Sequence, residues 1–334
     1  ISHIYFLLEI NRRKALLNIL DIIYYKVDNI WANLFVKNKH IRHIIASWEG
    51  LPGNARGSIW LLSGGLFATV MVTGIKFTGQ RLPVLEILFL RQMFLFFMLT
   101  PILTKEFPGA FRTKRLKLHL ARCAVSIVAM VTGFTAIVHL PLAEATAISF
   151  SRALFATLLA VLVLKELVGI RRWGATIIGF IGVLIIVQPS SDGINAYALL
   201  AIFSAALVSC NLIMTKKLTT TESPTTIMAY HAGILTLAYA GPCWWLWIEP
   251  TWIEIFLIIG IAGLMSAVQY CIIRGYRDAE ASAAQPLEYV RLLYAAAIGF
   301  LIFAEVPTTW TWIGASLIIA SSLYTVKRNT MNNS

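Results

Sequence analysis

Apolar runs of about 20 residues, separated by short polar segments, follow one another along the chain from Ser58 onward. A helix rises about 1.5 Å per residue, so a run of this length crosses the roughly 30 Å hydrocarbon core of a bilayer. The pattern predicts an all-α integral membrane protein with ten transmembrane helices. The predicted spans are residues 58–76, 83–103, 118–138, 145–164, 172–189, 196–214, 225–246, 252–273, 285–304 and 309–326.

The composition strengthens this interpretation. Of the 334 residues, 58% are hydrophobic and only 13% are charged, whereas soluble domains are about 45–50% apolar. An ordinary soluble enzyme is therefore excluded. The net charge of +12 would suggest a nucleic acid partner for a soluble protein. Here we expect no nucleic acid, because the basic residues alternate with the predicted spans.

Lys and Arg concentrate in every second loop, which predicts the orientation of the chain. They are frequent in residues 104–122, 165–173, 215–224 and 274–291, and also in the N-terminal segment and after Thr325. Cytoplasmic loops carry the excess of Lys and Arg in membrane proteins. We therefore predict a multi-pass protein of the bacterial inner membrane with both termini in the cytoplasm, including a short tail at residues 328–334.

The segment before the first span, residues 1–57, differs in composition from the rest of the chain. It begins with Ile, and the first Met is Met71, so we expect residue 1 to be either a non-standard start or the edge of a fragment. Apolar residues between Leu16 and Leu34 recur at helical spacing, which is typical of a helix lying in the membrane interface. A cytoplasmic or interfacial extension and a non-native segment are both open interpretations.

The second half of the chain repeats the first half at a spacing near 140 residues. Residues 150–173 read FSRALFATLLAVLVLKELVGIRRW, and residues 289–312 read YVRLLYAAAIGFLIFAEVPTTWTW. At an offset of 139, Arg152 aligns with Arg291 and Glu166 with Glu305. The repeat predicts one unit at residues 58–189 and another at 196–327, each with five spans. Because five is odd, the two units must be inverted, and inverted repeats are typical of secondary transporters.

Two stretches carry a family resemblance. The sequences LVLKELVGIRRWGATIIGFIGVLIIV and FLIFAEVPTTWTWIGASLIIASSLYTV resemble the ends of two EamA units in the drug/metabolite transporter superfamily. Arg91, in LEILFLRQMFLFF, stands where EamA proteins usually carry an Arg in their second helix. The resemblance implies transport of a small metabolite and leaves the substrate open. Arg152 and Arg291 are not general features of EamA units, and residues 1–57 have no family counterpart.

Three arginines inside predicted spans are the first candidates for a substrate site. A charged Arg at the centre of a membrane helix costs about 2.5–3.5 kcal/mol on insertion scales, so it needs a partner. Arg152, Arg291 and Arg91 are therefore predicted to bind a carboxylate or phosphate through paired hydrogen bonds. The alternative is that each one ties two helices together. His231, close to the repeat equivalent of Arg91, is a further substrate-binding candidate, against the alternative of a core histidine.

Two intramembrane carboxylates are candidates for proton coupling. Glu86 precedes Arg91 by five residues, and Glu288 precedes Arg291 by three. An intramembrane carboxylate that is neutral in one state and ionised in the other carries protons in pumps and transporters. A structural ion pair with the neighbouring Arg is the alternative for each of them.

These features together predict a secondary transporter that works by alternating access on an anionic or zwitterionic metabolite, such as an amino acid, a nucleotide-like metabolite or a vitamin. The alternatives are a non-transporting receptor or assembly subunit and a membrane-embedded enzyme. No HExxH, GxSxG or P-loop motif occurs in the sequence, so we expect no catalysis, no metal and no cofactor. The expected partners are a small-molecule substrate and the lipid bilayer, and a homodimer is left open.

Overall fold

The structure is a computed structural model that describes residues 51–107, 109–164, 170–188, 195–219, 221–278, 287 and 289–332. The predictions for residues 1–50 and for Glu288 lie outside the described residues. The chain divides into two units, residues 1–56 and 57–334. In the part that the structure describes, all regular secondary structure is helical, which agrees with the predicted all-α fold.

This described part contains eleven α-helices and one short 3-10 turn, Gly109–Phe111. The helices are α1 (Gly53–Thr78), α2 (Val84–Lys105), α3 (Leu116–His139), α4 (Leu142–Ser149), α5 (Arg152–Leu164), α6 (Ile170–Val187), α7 (Ala196–Thr219), α8 (Pro224–Leu246), α9 (Trp252–Asp278), α10 (Val290–Phe303) and α11 (Thr309–Asn332). Among these, α1, α2, α3, α7 and α9 contain segments that are long and apolar enough to cross a membrane, while α6, α10 and α11 contain shorter apolar segments. The full number of ten spans stays a prediction.

The predicted fourth span is two helices rather than one. Helix α4 ends at Ser149 and α5 begins at Arg152, with tightened i→i−3 hydrogen bonds between them. The Ser151 amide donates to the Ile148 carbonyl at 2.9 Å. From α7, the Ser209 hydroxyl donates to the Arg152 carbonyl at 2.7 Å. A short 3-10 stretch inside a helix often marks a functional hinge, and here it sits beside a predicted site residue.

Small residues let the helices of the two repeats approach closely. Where α1 meets α9, a Cβ atom on Gly64 would lie 3.0 Å from the Cβ of Cys271. Where α3 meets α7, a Cβ on Gly133 would lie 2.5 Å from the Ser204 hydroxyl oxygen. In each pair, the first span of one repeat packs on the third span of the other. The arrangement is the one expected of two units related by a pseudo-two-fold axis.

The last helices of the two repeats, α6 and α11, cross at glycine. A Cβ on Gly182 would lie 2.7 Å from the Gly314 carbonyl oxygen, and a Cβ on Gly179 would lie 2.5 Å from the Ser321 hydroxyl. Residues later in α11 therefore lie against residues earlier in α6. The two helices run antiparallel, as the predicted inversion requires.

One loop contact is made twice, once by each repeat. In the first repeat, Arg81 follows α1 and donates from Nε to Glu254 at the start of α9 at 2.7 Å, which raises the pKa of Arg81. In the second repeat, Glu222 follows α7 and accepts from the Thr113 hydroxyl at 2.8 Å and the Lys114 amide at 3.2 Å, just before α3. Positions 81 and 222 are equivalent at an offset of 141. Arg81 and Glu222 carry opposite charges, and each makes its contact at the start of the third span of the other repeat.

Candidate functional site

Arg152 lines a cavity between helices of the first and second repeats. The cavity has an empty volume of about 480 Å³, which includes space open to the surroundings. Its walls come from α3, α4, α5 and α7, and Arg152, an exposed residue, supplies a positive charge to an otherwise mostly apolar lining. The lining residues are Gly133, Ala136, Ile137, Ala145, Ser149, Arg152, Ala201, Ser204, Ala205 and Val208. We call it the first cavity.

Ser149 connects the first cavity to Arg291. Its hydroxyl donates to the Thr146 carbonyl at 2.7 Å and accepts from Arg291 Nη2 at 3.1 Å. A serine hydroxyl has one hydrogen and two lone pairs, so it can make both bonds at once. Ser149 also lines the cavity that holds Arg152. Ser149 therefore contacts Arg291 directly and shares a cavity lining with Arg152.

An aromatic pair marks the place where the two repeats meet. Phe150 and Tyr289 are equivalent at the offset of 139, and their ring centroids lie 5.1 Å apart at an interplanar angle of 81°. The Arg291 guanidinium carbon lies 5.5 Å from the Phe150 ring centroid. Tyr289 directly precedes α10, as Phe150 lies between α4 and α5. The two repeats thus contact each other at equivalent positions, next to the interruption between α4 and α5.

Arg91 and His231 line a separate cavity. This second cavity lies between α2, α3, α8 and α9 and has an empty volume of about 310 Å³. Its lining consists of Arg91, Gln92, Leu95, Met130, His231, Ala262 and Met265. It shares no lining residue with the first cavity. The four predicted substrate-binding residues therefore fall into two pairs, Arg152 with Arg291 and Arg91 with His231.

Glu86 is buried near the start of α2, away from both cavity linings. Its Oε2 accepts from the Ile248 amide at 3.1 Å, and its Oε1 has no hydrogen-bond partner. No ion pair joins Glu86 to Arg91 in the described structure. The proton-coupling role of Glu86 stays a prediction. The described residues also contain no group of three His, Cys, Asp or Glu side chains placed to hold a metal ion.

Lys76 is a buried charge that sequence reasoning passed over. It is 5% exposed near the end of α1 and forms an ion pair with Glu305 and a hydrogen bond with the Leu140 carbonyl. Glu305 also accepts from the Leu142 amide at 2.7 Å, at the start of α4. A carboxylate at that point satisfies one of the orphan amides of a helix N-terminus. The feature of the sequence that indicates this buried charge is a single Lys at the last position of the first predicted span, residues 58–76.

A second missed group lies between α3 and α7. Arg122 falls where the predicted basic stretch, residues 104–122, overlaps the predicted third span, residues 118–138, and it lies inside α3 and is 9% exposed. Its Nε donates to the Thr215 hydroxyl at 2.8 Å, and Asn211 hydrogen-bonds to Ser126 nearby. Loop limits predicted from hydropathy are too coarse to find such a residue, because one polar side chain shifts the apparent end of a span.

Comparison with known proteins gives the same family that the sequence motifs resemble. The sequence model of the EamA-like transporter family matches residues 55–188 and again residues 195–327. A riboflavin transporter of Brucella anthropi is 33% identical over 263 residues, covering 76% of this chain and 91% of that protein. A riboflavin transporter of Rhizobium johnstonii is 34% identical over 286 residues, covering 82% and 92%. An S-adenosylmethionine uptake transporter of Rickettsia prowazekii is 27% identical over 278 residues, covering 83% and 95%.

A solved structure resembles the fold as well. A crystal structure superposes with a TM-score of 0.57 at 13% identity, covering 83% of this chain and 99% of that chain. At this identity the likeness concerns the fold alone. Together with the two family matches and the apolar helices, it identifies a multi-pass membrane protein built from two EamA repeats. The chain therefore belongs to the EamA-like transporter family.

Proposed function

We propose that the protein is a secondary transporter of a small anionic or zwitterionic metabolite and that it works by alternating access. One observation carries the proposal: Ser149 lines the cavity that holds Arg152 and also accepts a hydrogen bond from Arg291. Each guanidinium presents a planar fork of donors that matches a carboxylate or phosphate. Two such groups, one from each repeat, form a binding site that both halves of the molecule share.

The interruption between α4 and α5 and the start of α10 supply the movement in this mechanism. In inverted-repeat transporters, discontinuous helices at the repeat interface form the substrate site, and one unit rocks against the other around it. The tightened turn between α4 and α5 lies next to Arg152, and α10 begins one residue before Arg291. A rotation at these points changes the distance between the two arginines. We propose that the substrate bridges them in one state and is released when they separate.

The relatives suggest which solutes to test first. The riboflavin transporters and the S-adenosylmethionine uptake transporters point to small metabolites that contain a heteroaromatic ring. S-adenosylmethionine has an amino-acid carboxylate, whereas riboflavin has none. The arginine pair therefore favours S-adenosylmethionine or another amino-acid-bearing solute. Riboflavin is the second candidate, supported by the higher sequence identity.

Uptake by reconstituted protein tests the proposal. Proteoliposomes that contain the full chain are given radiolabelled S-adenosylmethionine or riboflavin, and the initial rate is measured against concentration. Arg152→Gln and Arg291→Gln remove a charge-assisted hydrogen-bonding group, so we expect the KM for a carboxylate-bearing solute to rise about tenfold or more. Ser149→Ala removes a neutral contact and is expected to raise the KM a few-fold. Arg112→Gln, at an exposed loop position, is the matched control.

Different results have different meanings. If both arginine variants transport with the KM of the unaltered protein, neither arginine binds the substrate. If the unaltered protein takes up none of the solutes, then the proposal that it transports this class of metabolite is wrong. A receptor or assembly role then becomes the better hypothesis.

We further propose that the protein lies in the bacterial inner membrane with both termini in the cytoplasm.

We also propose that Glu86 and Glu288 couple transport to protons. Glu288 aligns with Ser149 at the repeat offset of 139, so the second repeat carries an acid where the first has the serine of the site. An imposed pH gradient in the same proteoliposomes measures the coupling. We expect Glu288→Gln to abolish the response to the gradient, and Glu86→Gln to abolish it if that acid carries the proton instead.

A further inference from the structure

The second cavity contains a positive charge without a carboxylate partner among the described residues. Arg91 is 5% exposed. Its guanidinium lies 5.2 Å from the Phe134 ring centroid, and its Nη2 contacts Gln92 Oε1 at 3.3 Å and Met130 Sδ at 3.4 Å. These are weak partners for a buried cation. The Arg91 Nε has no hydrogen-bond partner in the part of the chain that the structure describes, and a buried donor without an acceptor is costly.

Gln92 presents a second unused donor in the same cavity. Its side chain is fully buried, and its Nε2 has no partner. The amide orientation is fixed by chemistry, because a flipped amide would turn its NH₂ group toward the Arg91 donor. His231 lines the cavity as well, and a neutral imidazole offers one N–H. All three polar groups are therefore able to donate, and the remaining lining is apolar.

We propose that this second cavity binds a small monovalent anion such as chloride, held by Arg91 and Gln92. An anion accepts hydrogen bonds from several donors at once and also neutralises the guanidinium, which a water molecule does not do. In a low-dielectric site, the charge interaction is much stronger than it is in water. The anion thus compensates for an arginine that is otherwise expensive to keep in a membrane bundle.

The site is distinct from the proposed substrate site. The two cavities share no lining residue, and the second one lies between the second and third spans of both repeats, α2 and α3 with α8 and α9. It is also smaller than the first cavity, about 310 Å³ against about 480 Å³ of empty volume. The inference therefore holds whether or not the chain transports a carboxylate-bearing solute.

Anion-dependent stability of the purified full chain tests the proposal. The midpoint of thermal unfolding in detergent is measured while sodium chloride or sodium bromide replaces sodium gluconate at constant ionic strength. A ligand that binds only the folded state raises the midpoint in a saturable manner. We expect such a rise for the unaltered protein and none for Arg91→Gln. For Gln92→Leu, which loses one hydrogen bond to a charged ligand, we expect the apparent Kd to rise about tenfold.

Two matched substitutions separate specific binding from general salt effects. Arg112→Gln changes an exposed arginine, and Gln80→Leu changes an exposed glutamine whose amide donates to the Lys76 and Val138 carbonyls. Both are expected to keep the chloride response of the unaltered protein. Equilibrium binding of radioactive chloride provides a direct measurement, and the bound chloride is expected to be lost in Arg91→Gln.

Several results would overturn the proposal. One is a chloride response that is absent, or that never saturates. Another is an equal response in Gln92→Leu and Gln80→Leu, which decides the matter even if Arg91→Gln does not fold. A third is stabilisation by formate and not by chloride, because the site would then recognise the carboxylate of a larger molecule rather than a free inorganic anion.

Discussion

The Glu305 carboxylate holds three helices together. It pairs with Lys76 at the end of α1, accepts from the Leu142 amide at the start of α4, and itself follows α10. Side-chain exposure is 6% for Lys76 and 20% for Glu305, so water screens this pair far less than it screens a surface pair. Breaking a buried pair by removing one partner is strongly destabilising, because a charge is left uncompensated.

Lys76→Met keeps the length of the side chain and removes its charge. We expect a loss of about 3–5 kcal/mol in the free energy of unfolding, since Glu305 then stays largely buried as an unpaired carboxylate. Thermal unfolding in detergent measures the loss. The double variant Lys76→Met with Glu305→Gln is expected to recover part of it. Lys117→Met, at an exposed position on α3, is the control, and an equal loss in both single variants would argue against the ion pair.

Single side chains differ in how well the sequence alone predicts them. Arg152, Arg291 and Arg91 stand in the middle of apolar runs, so the cost of burying a charge makes them visible. Lys76 and Arg122 stand near the ends of helices, where a charged residue normally reaches water. Their burial depends on neighbours from distant parts of the chain, Glu305 for Lys76 and Thr215 for Arg122. Hydropathy carries no information about such partners.

Among the helices, α6 and α11 make the closest approach that the glycines reveal. Their backbones touch at Gly182 and Gly314, where an added Cβ would meet a carbonyl oxygen rather than the end of a flexible side chain. A backbone atom cannot move aside without shifting its helix. Close contact of this kind lets many weak van der Waals interactions form along both helices. The crossing therefore requires residues without a side chain.

Gly182→Ala tests the crossing. We expect the free energy of unfolding to fall by about 1–3 kcal/mol, because the added methyl group pushes α6 and α11 apart. Gly260→Ala is the matched control on α9, where no atom lies within 4 Å of the added Cβ. That change is expected to be neutral or to stabilise by up to about 1 kcal/mol, since Ala favours the helix. Similar unfolding midpoints for the two variants would contradict close packing at Gly182.

The helices themselves follow from the apolar runs, whereas the interruption between α4 and α5 does not. Residues 145–164 contain neither Gly nor Pro, so local propensity predicts one continuous helix. A tertiary contact lies beside the interruption, the hydrogen bond from Ser209 on α7 to the Arg152 carbonyl at the start of α5. The repeat indicates Arg152 and Arg291 as a pair, but Ser149, which contacts Arg291 and lines the same cavity as Arg152, has no equivalent serine in the second repeat and is not indicated by it.

The whole molecule is organised around its internal repeat. Equivalent contacts occur in both halves: Gly64 with Cys271 corresponds to Gly133 with Ser204, and the Arg81 loop corresponds to the Glu222 loop. The repeat was visible in the sequence because it retains rare residues, Arg, Glu and Trp, at a constant offset. The division of the predicted site into two cavities was not visible, since it depends on which helices lie side by side.

Labelling of introduced cysteines tests the predicted orientation. In a variant whose four native cysteines are replaced, Trp247→Cys and Phe111→Cys place thiols at positions that are 48% and 43% exposed. The positive-inside pattern predicts that position 247 faces outward and position 111 faces the cytoplasm. A membrane-impermeant maleimide is expected to label position 247 in intact cells and position 111 only after permeabilisation. The reverse pattern would overturn the orientation.

The ion pair between Lys76 and Glu305 also has a consequence for biogenesis. The two residues are 229 positions apart in the chain. At a synthesis rate of about 5–20 residues per second, the partner of Lys76 emerges roughly 10–45 seconds after Lys76 itself. Until then Lys76 lacks this carboxylate partner, and lysines near helix ends reach the membrane surface on their flexible stems. The ion pair can therefore form only when the second repeat is nearly complete.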